Sequence, residues 1–240
     1  MSSLPPVLFE DDRLVAFDKP SGLLVAPDRW DKEQVNLMDL VHAQLGPQIS
    51  NAHRLDRDTS GIVLCAKTKA ALDDLCLQFE RAAVEKEYRA LVRGRPEHGR
   101  GEINEPLMPD PNRPGKMKAF RSGKPALTDY EIEREFRGWT LLRLRPHTGR
   151  THQLRVHMKC IGCPILCDPW YGDGRPLLLS EIKRGYKPGA GGERPLLGRL
   201  ALHAHRLTFT HPATGARMTI ESPLPGDFEI ALKQLTKWSI

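Results

Sequence analysis

The segment His53-Arg-Leu-Asp-Arg-Asp-Thr-Ser-Gly61 sets a carboxylate, Asp56, between Arg54 and Arg57 on a stretch that ends in glycine. Positive charge on both sides favours the ionised carboxylate, the form required of a nucleophile, a base or a stabiliser of cationic character. The segment also reads as a turn satisfied by its own Asp and Thr side chains. Asp58 and Thr59 suit that turn, which leaves Asp56 as the candidate for chemistry. A second segment is His147-Thr-Gly-Arg-Thr-His-Gln-Leu-Arg-Val-His157. Gly149 and a Thr151 cap would leave backbone N–H groups at a helix start, a natural phosphate site. Arg155, a turn further on, could offer a bidentate guanidinium to a carboxylate or a phosphate. Taken alone, this segment is equally a capped helix with solvated arginines.

A third cluster invites a metal. Cys160, Cys163 and Cys167 follow His157, four possible ligands crowded into one short stretch. Structural zinc sites place two ligand pairs far apart and close a loop between them. Here Gly162 and Pro164 break the segment, and its apolar neighbours suit buried thiols. The spacing of His147, His152 and His157 does not align them on one helical face. His203 and His205 share a strand face, but two histidines make no site. The expectation is no metal and no cofactor.

Charge narrows the partner. Lys and Arg number 36 against 30 Asp and Glu, a net +6. Between Pro111 and Thr128 lie Arg113, Lys116, Lys118, Arg121 and Lys124 without an acid. Between Phe136 and Cys167 lie Arg137, Arg143, Arg145, Arg150, Arg155 and Lys159, again without an acid. One-signed stretches repel themselves unless a polyanion or a buried carboxylate faces them. Two of them point toward a phosphate backbone.

The elements that must position these residues can be read from periodicity. Val7–Phe17 reads as a strand or hairpin about Asp11-Asp12, leading into the turn Asp18-Lys-Pro-Ser-Gly22. Leu37, Leu40, Val41 and Leu45 predict a helix stopped by Gly46-Pro47. Ile62–Lys67 reads as a strand, and Thr68 caps a helix buried through Ala71, Leu72, Leu75 and Phe79. Tyr88, Ala90 and Val92 share one face of a strand that ends at Gly94. Residues 95–126 read as a long loop or loose hairpin. Thr140–Arg145 alternates, with Leu142 and Leu144 inward and Arg143 and Arg145 outward. A helix buried through Leu154, Met158 and Ile161 follows, then a surface loop at 183–194. Leu200–Thr210 forms a strand, and Phe228, Ala231, Leu235 and Trp238 mark a closing helix. The irregular mixture favours α+β over a strict βαβ alternation. No apolar run approaches the roughly 20 residues of a membrane span. Nor is there an apolar leader, and an odd count of five cysteines suggests reduced thiols. A cytoplasmic protein that does not engage a membrane is expected, with a monomer as the default.

Together these segments resemble the RluA-type pseudouridine synthases. His53–Gly61 is similar to their central motif, Asp18-Lys-Pro-Ser-Gly-Leu-Leu-Val25 to their N-terminal motif, and Lys86-Glu-Tyr-Arg-Ala90 to their tyrosine motif. Thr148–His157 resembles their C-terminal motif, followed by Gly162-Cys-Pro-Ile-Leu166, Tyr171-Gly172, Leu202-His-Ala204 and Phe209-Thr-His-Pro212. The match runs in order from about residue 7 to about residue 228. Asp110-Pro-Asn-Arg-Pro114 and Gly123-Lys-Pro-Ala126 further resemble the branch acting on both 23S ribosomal RNA and transfer RNA. Cys163 and Cys167 stand where relatives often carry His and Gly, and the 183–194 loop is unusually rich in Gly and cations.

The resemblance implies the pseudouridine synthase catalytic fold, a bent, mixed and mostly antiparallel sheet flanked by helices and loops. It implies one catalytic domain over residues 1–240, without an S4-like domain ahead of it. It implies isomerisation of uridine in structured RNA, with Asp56 essential, Arg155 paired with Asp56, and Tyr88 stacked on the uracil. Arg54 would fill the space vacated by a flipped uridine. His53, Arg113, Lys116, Lys118, Arg121, Arg150, Thr151 and His152 would contact RNA, with stretches 111–128 and 136–167 gripping its backbone. The competing readings are a non-catalytic RNA-binding or RNA-folding protein, a metal-dependent nuclease using Asp56 and Asp58, and a zinc-stabilised module on residues 157–167.

Overall fold

A computed structural model describes residues 3–27, 34–189 and 191–239. The first half of the chain contributes β1 (Val7–Glu10), β2 (Leu14–Lys19), α1 (Leu37–Leu45), β3 (Ser50–Asn51), β4 (Ser60–Ala66), α2 (Lys69–Glu80), β5 (Glu85–Arg93) and β6 (Arg100–Asn104). Next come β7 (Leu107–Pro109), β8 (Met117–Ala119), β9 (Leu127–Phe136), β10 (Trp139–Pro146), α3 (Gln153–Cys160) and α4 (Leu179–Ile182). The chain closes with β11 (Leu202–Thr210), β12 (Arg217–Glu221) and α5 (Gly226–Trp238). It divides into two compact units, residues 1–87 with 203–223, and residues 88–202 with 224–240. The division falls inside β5 and inside β11. Strand pairing is mixed and mostly antiparallel, and the class is α+β.

In the first unit the β1–β2 hairpin closes on Asp11, whose Oδ1 accepts the N–H groups of Arg13 (2.7 Å) and Leu14 (2.8 Å). β2 pairs antiparallel with β4 from Leu14↔Ala66 to Lys19↔Gly61. β4 also pairs with β11, in parallel, through His203↔Ser60 and Ala204↔Gly61. Gly61 (φ +110°) is required there, because a Cβ would sit 2.2 Å from the Ala204 carbonyl oxygen. Helix α2 starts at Thr68, whose Oγ1 accepts the Ala71 N–H at 3.3 Å. It lays Ala71 and Leu75 on Leu14, Ile62, Leu64, Leu207 and Phe209. Leu75 is fully buried, so Leu75→Ala should cost about 2–5 kcal/mol.

The second unit holds the antiparallel order β5-β10-β9-β6. Leu142 and Leu144 face inward, in register with Ala90 and Tyr88. They share one core with Leu154 and Met158 of α3 and with Phe228, Ala231 and Leu235 of α5. Trp238 departs from the predicted inward stripe. It is 39% exposed, and the ammonium groups of Lys183 and Lys237 lie 4.6 and 4.9 Å from its ring. As the last helical residue it is covered by lysine stems rather than by the core.

The stretch 95–126 is more ordered than its composition predicts. β6 joins β9, and β7 with β8 makes a separate two-stranded hairpin. Its tip closes through Asp110 N–H to the Lys116 carbonyl (2.8 Å) and Arg113 N–H to the Asp110 carbonyl (3.2 Å). Tyr171 anchors the hairpin, its hydroxyl accepting the Met117 N–H at 2.8 Å.

Candidate active site

Asp56 lies half-buried in the loop between β3 and β4, next to buried Leu55, and the Thr59 N–H closes a turn on the Asp56 carbonyl (3.2 Å). The loop is held by the segment Lys19-Pro-Ser-Gly22. The ammonium of Lys19, fully buried, donates to the carbonyls of Pro20 (2.9 Å), Leu23 (2.7 Å) and Arg57 (2.9 Å). Gly22 N–H also reaches the Arg57 carbonyl (2.9 Å), and the Ser21 hydroxyl donates to the Asp58 carbonyl (2.6 Å). A charged donor confined among carbonyls is worth keeping only where each bond is made, so the turn that carries Asp56 is rigidly placed. Sequence reasoning quoted Lys19 as part of a motif but gave it no task. Its position beside proline and glycine in a turn was the available signal.

The rest of the central motif knits the same loop. Arg57 Nε meets Asp58 Oδ1 at 3.3 Å. Buried Ser60 bonds to His203 Nδ1 (3.0 Å), and His203 Nε2 meets the Ser222 carbonyl at 3.3 Å. His53 is engaged by the fold. Its Nε2 accepts the Leu64 N–H (3.0 Å) and its ring stacks on Phe79 with centroids 4.8 Å apart. Burial, aided by the charge of Lys86, drives its pKa down to about 4, so the ring is neutral and can accept. Burial likewise brings Lys86 down to about 8. Arg54 is exposed at the start of the loop.

In the other unit, Tyr88 is half-buried on β5 and packs against the core. Arg155, on α3, is 3% exposed and forks onto Asp168, Nε to Oδ2 and Nη2 to Oδ1, both at 2.8 Å. Asp168 Oδ1 also accepts the N–H groups of Trp170 (2.9 Å) and Tyr171 (3.1 Å). Burial alone would raise the Asp168 carboxyl, but the guanidinium and the two amides outweigh it and hold it below the ordinary range. Asp168 is a carboxylate that the sequence reading did not single out.

The predicted anion site before α3 is rearranged. The helix begins at Gln153 after His152, whose backbone is left-handed (φ +53°), and Thr151 is exposed rather than capping. No side chain caps the helix; buried Gln153 instead ties down the loop that leads into it. Its Oε1 accepts the Thr148 hydroxyl (2.7 Å) and the Arg150 N–H (3.0 Å), while Nε2 donates to the Leu127 carbonyl (2.9 Å). One N–H that an anion would have used is therefore satisfied internally. Arg150 turns its Nε to the Pro125 carbonyl (3.0 Å), and His152 Nδ1 meets the Tyr171 hydroxyl (2.8 Å).

The two basic stretches separate. In the second, an acidic ladder on β9 is met from β10 and the residue after it: Arg143 bonds Glu131 and Glu133 (both 3.0 Å), and His147, just past the strand, bonds Asp129 (2.7 Å). Arg89 joins at Glu133 (2.5 Å). Arg89, Arg143 and Arg145 thus face carboxylates of β9 and are already charge-compensated within the fold. The sequence hid the pairing because the acids, Asp129, Glu131 and Glu133, lie just outside both acid-free stretches. Arg113, Lys116, Lys118 and Arg121 of the first stretch enter no ion pair with a described residue.

The cysteine segment is packing. Cys163 and Cys167 are buried and Cys160 exposed, and burial raises all three thiols, Cys167 to about 11. His157 faces Thr128 Oγ1 with Nδ1 (2.9 Å) and the Glu105 carbonyl with Nε2 (3.1 Å). Cys167 has φ +60°, where glycine is at ease, and its Sγ donates to the Leu197 carbonyl (3.3 Å). Among the described residues no three potential ligands gather to hold a metal.

The family model described as RNA pseudouridylate synthase matches residues 13–159, more than half of the chain. The chain is 40% identical over 220 residues to the Dual-specificity RNA pseudouridine synthase RluA of Escherichia coli K12, covering 90% of this chain and 92% of that protein.

The chain belongs to the RNA pseudouridylate synthase family.

It is 39% identical over 234 residues to the Ribosomal large subunit pseudouridine synthase D of Nitrosomonas europaea, spanning 95% of this chain and 64% of that longer protein. Among solved structures, Human RNA Pseudouridylate Synthase Domain Containing 4 superposes with a TM-score of 0.73 at 27% identity, over 96% of this chain and 92% of that one. These relatives confirm the RluA-type assignment and the α+β pseudouridine synthase fold. The matched region contains the Asp56 loop, Tyr88 and Arg155.

Proposed function

We propose that this RNA pseudouridine synthase converts uridines of structured RNA, in 23S rRNA, tRNA or both, to pseudouridine with Asp56 as the essential carboxylate. The reaction breaks the C1′–N1 bond, turns the uracil and rejoins it through C5, so it consumes neither a redox partner nor a group donor. Asp56 serves as nucleophile at C1′ or base at C2′; on either route the sugar gains positive character that a carboxylate stabilises. The observation that carries the reading is the placement of Asp56 on a turn whose backbone is pinned by Lys19, Ser21 and Gly22. Fixed charge at a reacting centre needs no reorganisation during the reaction.

Tyr88, as stacking wall and aid to removal of the C5 proton, and Arg155 take their roles from the resemblance of their motifs. Extruding the uridine costs a few kcal/mol, and exposed Arg54 fills the vacated space. Electrostatic grip belongs to Arg113, Lys116, Lys118 and Arg121 rather than to β10. The names of two relatives, a dual-specificity RNA pseudouridine synthase and a ribosomal large subunit pseudouridine synthase, support RNA, ribosomal RNA included, as the substrate class. The protein works as a cytoplasmic monomer. The test is incubation with 23S rRNA and tRNA transcripts, digestion to nucleosides and chromatography. Pseudouridine should form in at least one transcript; none in either, with RNA binding intact, would overturn the reading.

A further inference from the structure

Beside the β7–β8 hairpin lies a pocket of about 230 Å³. Arg113, Lys116, Lys118 and Lys159 line it, together with the rings of Trp170 and Tyr171. One acid, Asp110, also lines it, and its Oδ1 already accepts the Asn112 N–H at 3.1 Å. Four cations against one partly engaged carboxylate contrast with β10, where each outward arginine faces an acid of β9. An uncompensated cluster of this kind is held at a cost unless an anion completes it.

The aromatic wall gives the anion a shape. Trp170 is 38% exposed, yet its position is fixed from several sides. Its backbone N–H donates to buried Asp168, His152 stands edge-on to the ring at 5.1 Å, and the Arg155 guanidinium lies 5.4 Å from the ring. Lys116 Nζ lies 5.5 Å from the same ring on the pocket side. Along β8, Lys118 is set in the same way over Phe120, itself 53% exposed. Half-open aromatic rings alternating with unpaired cations are the grammar of single-stranded nucleic acid binding, in which bases stack and phosphates meet ammonium and guanidinium groups.

We infer that this pocket is a nucleotide subsite which stacks one base of an RNA strand on Trp170 and holds the adjoining phosphates with Arg113, Lys116, Lys118 and Lys159. The inference rests on RNA as the substrate class and adds a point at which a nucleotide other than the modified uridine is gripped. An acidic peptide would satisfy the cations but leave the prearranged ring without a partner.

Fluorescence anisotropy of a labelled single-stranded RNA octamer tests it, beside an abasic octamer of equal backbone charge. The wild type should prefer the base-bearing octamer, and Trp170→Ala should reduce that preference about tenfold while abasic affinity stays within about twofold. Lys116→Gln with Lys118→Gln should weaken both octamers alike and lower the salt slope by about 1.4. As a measurement on the unaltered protein, Cys160 lines the pocket and is exposed, so the octamer should slow its alkylation while leaving that of Cys76 unchanged. An unchanged preference in Trp170→Ala, an equal loss for both octamers, or no protection of Cys160 would each overturn the subsite. These readouts need no turnover. An inactive protein that passes them refutes the synthase reading alone, and an active one that fails them refutes the subsite alone.

Discussion

Lys19→Met removes the ammonium that pins the Asp56 loop while keeping an unbranched apolar stem of nearly the same length. Three carbonyls, on Pro20, Leu23 and Arg57, then lose a charged donor in an interior where the side chain was 0% exposed. Stranding a buried acceptor costs about 1–3 kcal/mol for each of Pro20 and Leu23, while the Arg57 carbonyl keeps the Gly22 N–H and loses one charge-assisted bond of about 1.5–3 kcal/mol, roughly 3.5–9 kcal/mol together. Against this, a methionine no longer bears the several kcal/mol needed to keep an ammonium out of water. The difference is a net loss of about 3 kcal/mol, or roughly 6–12 °C in Tm for a chain of this size. The functional consequence follows from the Arg57 carbonyl, one residue beyond Asp56, which loses the Lys19 donor. A misplacement of about 1 Å at a reacting group can cost about 100-fold in rate. Thermal unfolding and single-turnover kinetics on saturating RNA, both below the variant's Tm, should therefore show the Tm drop and a rate reduced about 100-fold, with RNA affinity within a few-fold. A variant with Tm within about 2 °C of wild type and an undiminished rate would refute the role assigned to this buried charge.

Asp168→Asn should cost about 3–5 kcal/mol in unfolding experiments, because the buried Arg155 guanidinium loses the carboxylate on which it forks; an unaltered Tm would contradict that pairing. Replacing Lys116, Lys118 and Arg121 with Gln should lower the salt slope of RNA binding by about 2, whereas Arg143→Gln with Arg145→Gln should leave it nearly unchanged. Equal effects of the two sets would show that the β9 acids do not neutralise β10. His53 has a folded pKa near 4, below its unfolded value of 6.5, so its neutral form supports the fold above pH 6.5 and that support is lost as pH falls toward 4. The whole window amounts to about 3 kcal/mol. His53→Phe should flatten the pH dependence of denaturant unfolding between pH 6.5 and 5, and an unchanged slope would mean the ring is not held neutral.

Much of this was readable from the chain because the signals were local. The α2 cap at Thr68, the alternation of Leu142 and Leu144 with Arg143 and Arg145, and the turn about Asp56 each depend on neighbours within a few residues. The misses all involve partners brought together by the fold. Asp168 lies 13 residues from Arg155, and Lys19 lies 38 from Arg57. Gln153 displaced Thr151 as the organiser of the α3 start because its longer amide reaches both the loop behind it and β9. The basic stretch on β10 looked exposed to a polyanion only while the register against β9 was unknown. The β7–β8 hairpin was obscured by the prolines and glycines of its tip, although each of its strands is only three residues long.

Release of tritium from RNA carrying 5-tritiated uridine reads the proposed Asp56-dependent isomerisation at its bond-forming step. Forming the new bond at C5 expels the label, so release counts turnovers. Wild type should release tritium from a 23S rRNA or tRNA transcript in an amount set by the number of target uridines. Asp56→Ala should release none while binding the same transcript within a few-fold. Release by Asp56→Ala at the wild-type rate, or none by wild type on either RNA, would contradict the account.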